Sequence, residues 1–196
     1  MKMSKAEQKQ QTIQNLMEVA REMFSTQGYA DAAMEEIVKR AGVTRGALYH
    51  HFGSKEGLFQ AVLASVQKEI GDQVEAEAAK SDDPWQQLIL GCLAFVSSAV
   101  EHRNRRILLI DGPSVIGWET WRRMDEENSM RHLREQLHIM QEQGYLLPVS
   151  IDALTHLLSG AMNEAVLWIS ETTDHKQSLA EISTAISLLL EGYRAK

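Results

Sequence analysis

Residues 33–52, AMEEIVKRAGVTRGALYHHF, restrict the fold more than any other stretch of the chain. Two short helical patterns flank Ala41-Gly42-Val43. Gly42 is free to take the positive φ that a tight turn between them needs. Val43, apolar just past the turn, is placed to anchor the second helix to the first. Ile37, Val38, Ala41, Val43, Leu48 and Phe52 make a compact apolar set that packs on a preceding helix. Short helices crossed at a steep angle over such a turn form a helix-turn-helix.

The outward side of the second short helix then carries Thr44, Arg45, Gly46, Ala47, Tyr49, His50 and His51. An ordinary solvated face has no need of small residues at 46 and 47. Gly46 costs about 1 kcal/mol of helix stability relative to alanine. A backbone that must come close to a groove wall accounts for that cost. Arg45 suits a bidentate contact to guanine in the major groove. Thr44, Tyr49, His50 and Lys55 suit phosphate contacts, which fix register without reading sequence. A purely structural hairpin is the competing reading, and it leaves the outward residues unexplained.

The rest of the chain also follows helical periodicity. Ile13, Leu16, Met17, Ala20 and Phe24 mark a first helix, stopped by Gly28. The second and third are expected over about 34–40 and 44–50. Ser54 caps a fourth that runs to about Lys80. Asp83 and Pro84 start a fifth. A sixth is expected over about 105–111, broken at Gly112-Pro113. A seventh runs from Ser114 or Gly117 to Gln143, an eighth over 151–172, and a ninth from Asp174 or Ser178 to Glu191. No alternating strand pattern of useful length occurs. The expected fold is all-α, with about nine helices.

Charge is distributed unevenly. Residues 1–55 hold eight Lys/Arg against six Asp/Glu, a balance of +2, whereas 56–196 hold twelve against twenty-one, a balance of −9. Nucleic-acid binding needs a local basic surface and not a basic whole, so the total of −7 does not exclude it. One cysteine, Cys92, rules out an intramolecular disulfide framework. No window approaches the roughly 18 apolar residues of a membrane span. The polar N-terminus lacks a secretory apolar stretch. A cytoplasmic location without membrane association is expected.

A dense set of positions resembles the TetR family of transcriptional regulators. The likeness runs from about Gln10 to Ile70. It rests on Ile13, Ala20, Phe24, Gly28-Tyr29, Glu36-Ile37, Ala41-Gly42-Val43-Thr44, Gly46, Leu48-Tyr49, His51-Phe52 and Ser54-Lys55-Glu56 followed by Leu58. The resemblance implies a DNA-binding domain over 10–70 and a helical effector-binding and dimerisation domain over 71–196. It places the recognition helix on Thr44–His50 and the phosphate contacts on Tyr49 and Lys55. It further implies a ligand-responsive repressor that binds a near-palindromic operator as a C2 homodimer. One position departs from the family's habit. Ala32 and Ala33 stand where a Thr or Ser usually caps the second helix and touches phosphate.

The same resemblance directs attention to the later helices. Phe95, Trp118 and Trp121 are expected to line an effector pocket. The segment 108–123, LLIDGPSVIGWETWRR, looks like one that recurs in a subgroup of the family. Asp111 near Arg105 or Arg106 reads as a structural ion pair. Leu157, Ala161, Ala165 and Trp168, with Ile182, Ile186 and Leu189, are expected at the dimer interface. No cofactor, metal cluster or catalytic motif is expected, since no nucleophile–base pair, phosphate loop or ligand spacing occurs. The alternative is a small-molecule-binding or enzymatic helical dimer without DNA activity. An interaction protein using its last two helices for a different chain is a third reading.

Overall fold

Local start and stop signals set the helix boundaries in the computed structural model, which describes residues 4–195. α1 (Lys5–Gln27) begins at Ser4, whose hydroxyl accepts from the Glu7 N–H while the Glu7 carboxylate accepts from the Ser4 N–H. That reciprocal pair satisfies two donors that a first turn leaves open. Gly28, at φ 87°, ends the helix. α2 (Met34–Ala41), α3 (Arg45–Phe52) and α4 (Lys55–Ala78) follow. α5 (Pro84–Ala99) starts as expected, with the Asp83 side chain accepting from the Gln86 N–H at 2.9 Å.

Two expected helices are divided. The sixth is a short α6 (His102–Arg105), a π-helical turn over Arg106–Asp111, and α7 (Gly112–Ile116). A π turn hands the Leu108 carbonyl to residue 113, a proline with no N–H. The Trp121 indole N–H donates to that carbonyl instead, at 2.7 Å. The seventh is α8 (Trp118–Glu126) and α9 (Ser129–Glu142), broken at Asn128. The Asn128 amide donates to the Met124 carbonyl at 2.6 Å, a side-chain bond that competes with the helical ladder. α10 (Ile151–Glu171) and α11 (His175–Glu191) complete the chain, capped by Ser150 and Asp174. Among the described residues, the one β-type pairing is an isolated bridge between Leu146 and Arg194.

The helices pack as two units. One holds the chain up to Val66 together with His102–Trp121, and the other holds Gln67–Glu101 with Arg122 onward. α4 supplies its first half to one and its second half to the other. The stretch 102–121 packs with the N-terminal helices, although it was expected with the second domain.

In the first unit, Leu16, Ala20, Phe24, Ile37, Leu48 and Phe59 are all fully buried. The rings of Phe24, Tyr29 and Phe59 meet edge-on or tilted, with centroids 5.2–5.9 Å apart. The end of α1 is fastened to the π turn. The Asp111 carboxylate accepts from the Tyr29 N–H at 2.9 Å and lies 3.4 Å from Arg106 Nε. A Cβ on Gly28 would come within 2.0 Å of the Arg106 guanidinium. Trp121 is buried over Gly112, where an added Cβ would meet its ring at 2.9 Å. These contacts give the segment 108–123 a structural purpose.

Candidate functional site

α2 and α3 are held by their inner sides. Ile37 and Leu48 are fully buried, and Val43 between them is half-buried. Gly42 sits in the left-handed region at φ 66°, ψ 31°, and its N–H and that of Val43 close the end of α2. Non-glycine residues pay roughly 1–2 kcal/mol for that conformation. Thr44 then caps α3, its hydroxyl oxygen accepting from the Ala47 N–H at 3.1 Å. Inner packing and two local caps therefore fix α3 without using most of its outer side chains.

That outer side is largely free. Arg45, Gly46, Tyr49 and His50 are exposed, and Ala47 is half-buried. A Cβ on Gly46 would meet only the Thr44 hydroxyl, at 3.9 Å, so nothing within the protomer requires glycine there. His51 is half-buried and packs edge-on against His50 and Phe52, so it faces outward less than its neighbour. Arg45 lies 3.2 Å from Glu35 of α2 and donates to the Tyr49 hydroxyl at 3.3 Å. The Tyr49 contact and then Glu35 hold its guanidinium more basic than usual. Glu35 is a partner the sequence reading missed. It lies ten residues before Arg45, a spacing meaningful only once the turn folds α2 beside α3.

Lys55 opens α4. Its ammonium donates to the Ala30 carbonyl at 3.1 Å and lies 4.6 Å from the centroid of the Tyr29 ring. Ala33 takes the cap position of α2 with no side-chain hydrogen bond, and Ala32 is fully buried. Neither alanine offers a hydroxyl to a phosphate.

The second unit contains a cavity of about 270 Å³. Apolar side chains from α4, α5, α9 and α10 form most of its wall, among them Val74, Leu88, Phe95, Met130 and Met162. Of the three expected pocket residues, Phe95 lines it. Trp118 and Trp121 do not. Trp121 is committed to the Leu108 carbonyl, and Trp118 is 62% exposed with its ring stacked on Trp121 at 5.0 Å. Both tryptophans belong to the unit that holds the π turn.

Asp125 was not foreseen in this wall. It is buried, paired with Arg122 at 3.2 Å, and Arg122 also donates to Ser159. Burial pushes the Asp125 carboxyl up to about 6, against the pull of Arg122. Cys92 also lines the cavity, and burial pushes its thiol up to about 12, so it remains protonated at neutral pH. Among the described residues, no group of three or more His, Cys, Asp or Glu is arranged to hold a metal ion. No helix among them is long and apolar enough to cross a membrane.

α10 and α11 carry apolar residues on two sides. Leu157, Ala161 and Trp168 are exposed along one stripe of α10, with Leu188 and Leu189 exposed on α11. Ile182 is half-buried. Ala165 and Ile186, expected at an interface, are only 7% exposed and belong to the protomer's own core. By helical phase Ala165 lies between the exposed side of Leu157 and Ala161 and the buried side of Met162 and Ile169, at the edge of the core.

Two family profiles match the chain. One, bacterial regulatory proteins of the tetR family, covers residues 16–62, and the other, a tetracyclin repressor-like C-terminal domain, covers 85–193. A solved TetR-family transcriptional regulator from Pectobacterium atrosepticum is 32% identical, with a TM-score of 0.78, over 99% of both chains. The HTH-type transcriptional regulator SrpR of Pseudomonas putida is 29% identical over 78% of this chain and 71% of its own length. AcrR of Shigella flexneri is 37% identical, and that alignment spans about half of each protein, 51% and 47%. The profiles cover both the helix-turn-helix and most of the helices after it, so the chain belongs to the TetR family of DNA-binding transcriptional regulators.

Proposed function

We propose that the protein is a ligand-responsive repressor that binds a near-palindromic operator as a C2 homodimer. The observation that carries this reading is the outer side of α3. It presents Arg45, an unencumbered glycine, Tyr49 and His50, while the helix itself is held from the inside. Arg45 reads guanine. Leaving Glu35 costs little, because both side chains are about two-thirds exposed and solvent screens such a pair. Gly46 and Ala47 let the backbone approach the groove. Thr44, Tyr49, His50, His51 and Lys55 contact phosphates or the groove edge. The domain division at about residue 70 is one of function, with DNA reading before it and sensing and dimerisation after it.

The exposed stripes of α10 and α11 form the two-fold interface, with Leu157, Ala161, Trp168 and Leu189 at the contact. An isologous interface sets one copy of such a stripe against another. Two recognition helices then enter successive major grooves about 34–36 Å apart. The cavity is the effector site. α4 lines it through Val74, Glu75 and Ala78 and carries the buried Leu58, Phe59 and Val62 in the first unit. A ligand that favours one setting of α4 shifts the population of DNA-competent dimers. A differential affinity of about 5.5 kcal/mol suffices for a near-complete switch. The protein acts in the cytoplasm, where its DNA is, and performs no catalysis.

Selection of bound duplexes from a random pool tests this reading. The expected product is one near-palindromic sequence whose half-sites are centred about 10 base pairs, or a multiple, apart. Retention of no sequence above background would overturn it.

A further inference from the structure

The cavity wall carries charge of one sign. Its lining residues include the carboxylates Glu75, Asp125 and Glu135, one imidazole, His132, and no lysine or arginine. Two of the three have cationic neighbours outside the wall. Asp125 is paired with Arg122, and Glu135 lies 3.3 Å from Arg131 in an exposed pair one helical turn apart. Glu75 makes no ion pair among the described residues and is exposed where α4 borders the cavity. An anionic ligand entering here would lose its hydration and face three carboxylates, with His132 the one basic side chain in the wall. A neutral ligand would leave Glu75 without a partner.

Size and apolar content narrow the class further. An apolar cavity of about 150 Å³ accommodates benzene. This one is about 270 Å³, with Leu88, Phe95, Met130 and Met162 among its walls. It therefore has room for a ring bearing a short chain. The methionine thioethers favour contact with an aromatic ring.

Building on the effector-site reading above, we propose that this cavity binds an organic monocation, an ammonium group on an apolar body of about one substituted aromatic ring. The ammonium lies toward Glu75, the wall carboxylate without a cationic partner. The apolar body lies against Leu88, Phe95 and the two methionines.

Three probes of matched size separate the charge classes: 4-phenylbutylamine, 4-phenylbutanol and 4-phenylbutanoate. Calorimetric titration into the full-length protein should show the amine binding about tenfold more tightly than the alcohol, with the carboxylate weaker than both. Raising the salt should shrink the amine's advantage, since rim charges are screened. In Glu75→Gln/Glu135→Gln, both exposed in the parent, the amine should fall toward the alcohol's affinity while the alcohol is unchanged. The alcohol or carboxylate binding as well as the amine would overturn the proposal, as would no binding by any of the three. DNA release distinguishes this failure from failure of the effector reading. An alcohol that binds without preference yet releases operator DNA removes the charge class and keeps the effector site. An amine that binds with preference yet leaves the DNA complex intact keeps the class and removes the effector role.

Discussion

The outer side of α3 and the cavity of the second unit hold their side chains by different means. Along α3, one short stretch supplies everything: Gly42 for the turn, Thr44 for the cap, Leu48 for the anchor, and Arg45, Tyr49 and His50 for the surface. The cavity draws on α4, α5, α9 and α10, and its charged wall residues lie as far apart in sequence as Glu75 and Glu135. A local motif keeps its inner and outer sides separate, so it tolerates changes on the outside. A cavity made by long-range packing has no such separation, because the residues that shape it also face its contents.

The largest expected effect breaks the inner side of the motif. Leu48→Ala should lower unfolding stability by about 3 kcal/mol in denaturant titration, as for other fully buried leucines. Arg45→Ala should leave stability within about 0.5 kcal/mol of the parent. Equal losses would show that the two sides of α3 are not independent.

That independence explains what was legible in the sequence. The turn, the cap at Thr44 and the alternation of inner and outer residues all lie within 33–52, where helical periodicity suffices. Arg45–Glu35 was missed because it depends on the crossing of two helices. The resemblance points Trp118 and Trp121 toward a pocket because helices five to seven enclose it in the family. The true partners of Trp121, Leu108 and Gly112, follow from a π turn that no periodic pattern announces, and Trp118 meets the Trp121 ring. Asn128 split the expected seventh helix through a side-chain bond, which hydrophobic spacing does not register.

The next effect belongs to the cavity. Asp125 has its carboxyl raised from 3.8 to about 6 in the folded protein. Between about pH 4 and pH 6 the folded state therefore holds more protons than the unfolded state, and stability falls as pH rises. The cost is complete above about pH 6 and amounts to about 2–3 kcal/mol. In Asp125→Asn that fall should vanish from the difference between stabilities measured at pH 4 and pH 7. An unchanged fall would assign the pH dependence to other groups and leave Asp125 ordinary.

Two smaller effects return to the DNA-facing unit. Ala33→Ser should supply the missing cap of α2 and raise stability by about 1 kcal/mol in the same titration. Glu35→Gln removes an acid beside Arg45 and close to incoming phosphates, so operator affinity should rise a few-fold at low salt. A drop in affinity would mean that Glu35 positions Arg45 for reading and does not compete with DNA.

The central claim is that α3 reads sequence through Arg45 while Lys55 only anchors. Gel-shift affinities of the parent, Arg45→Ala and Lys55→Ala on the selected operator and its single-base variants, over a series of salt concentrations, test it most directly. Arg45→Ala should lose discrimination at one base pair in each half-site, worth about 1–3 kcal/mol. Lys55→Ala should weaken all sequences alike and lower the salt slope by about 1 for each phosphate contact removed. If Arg45→Ala keeps the parent's base preference, or Lys55→Ala alters it, the assignment of reading and anchoring along this helix is wrong.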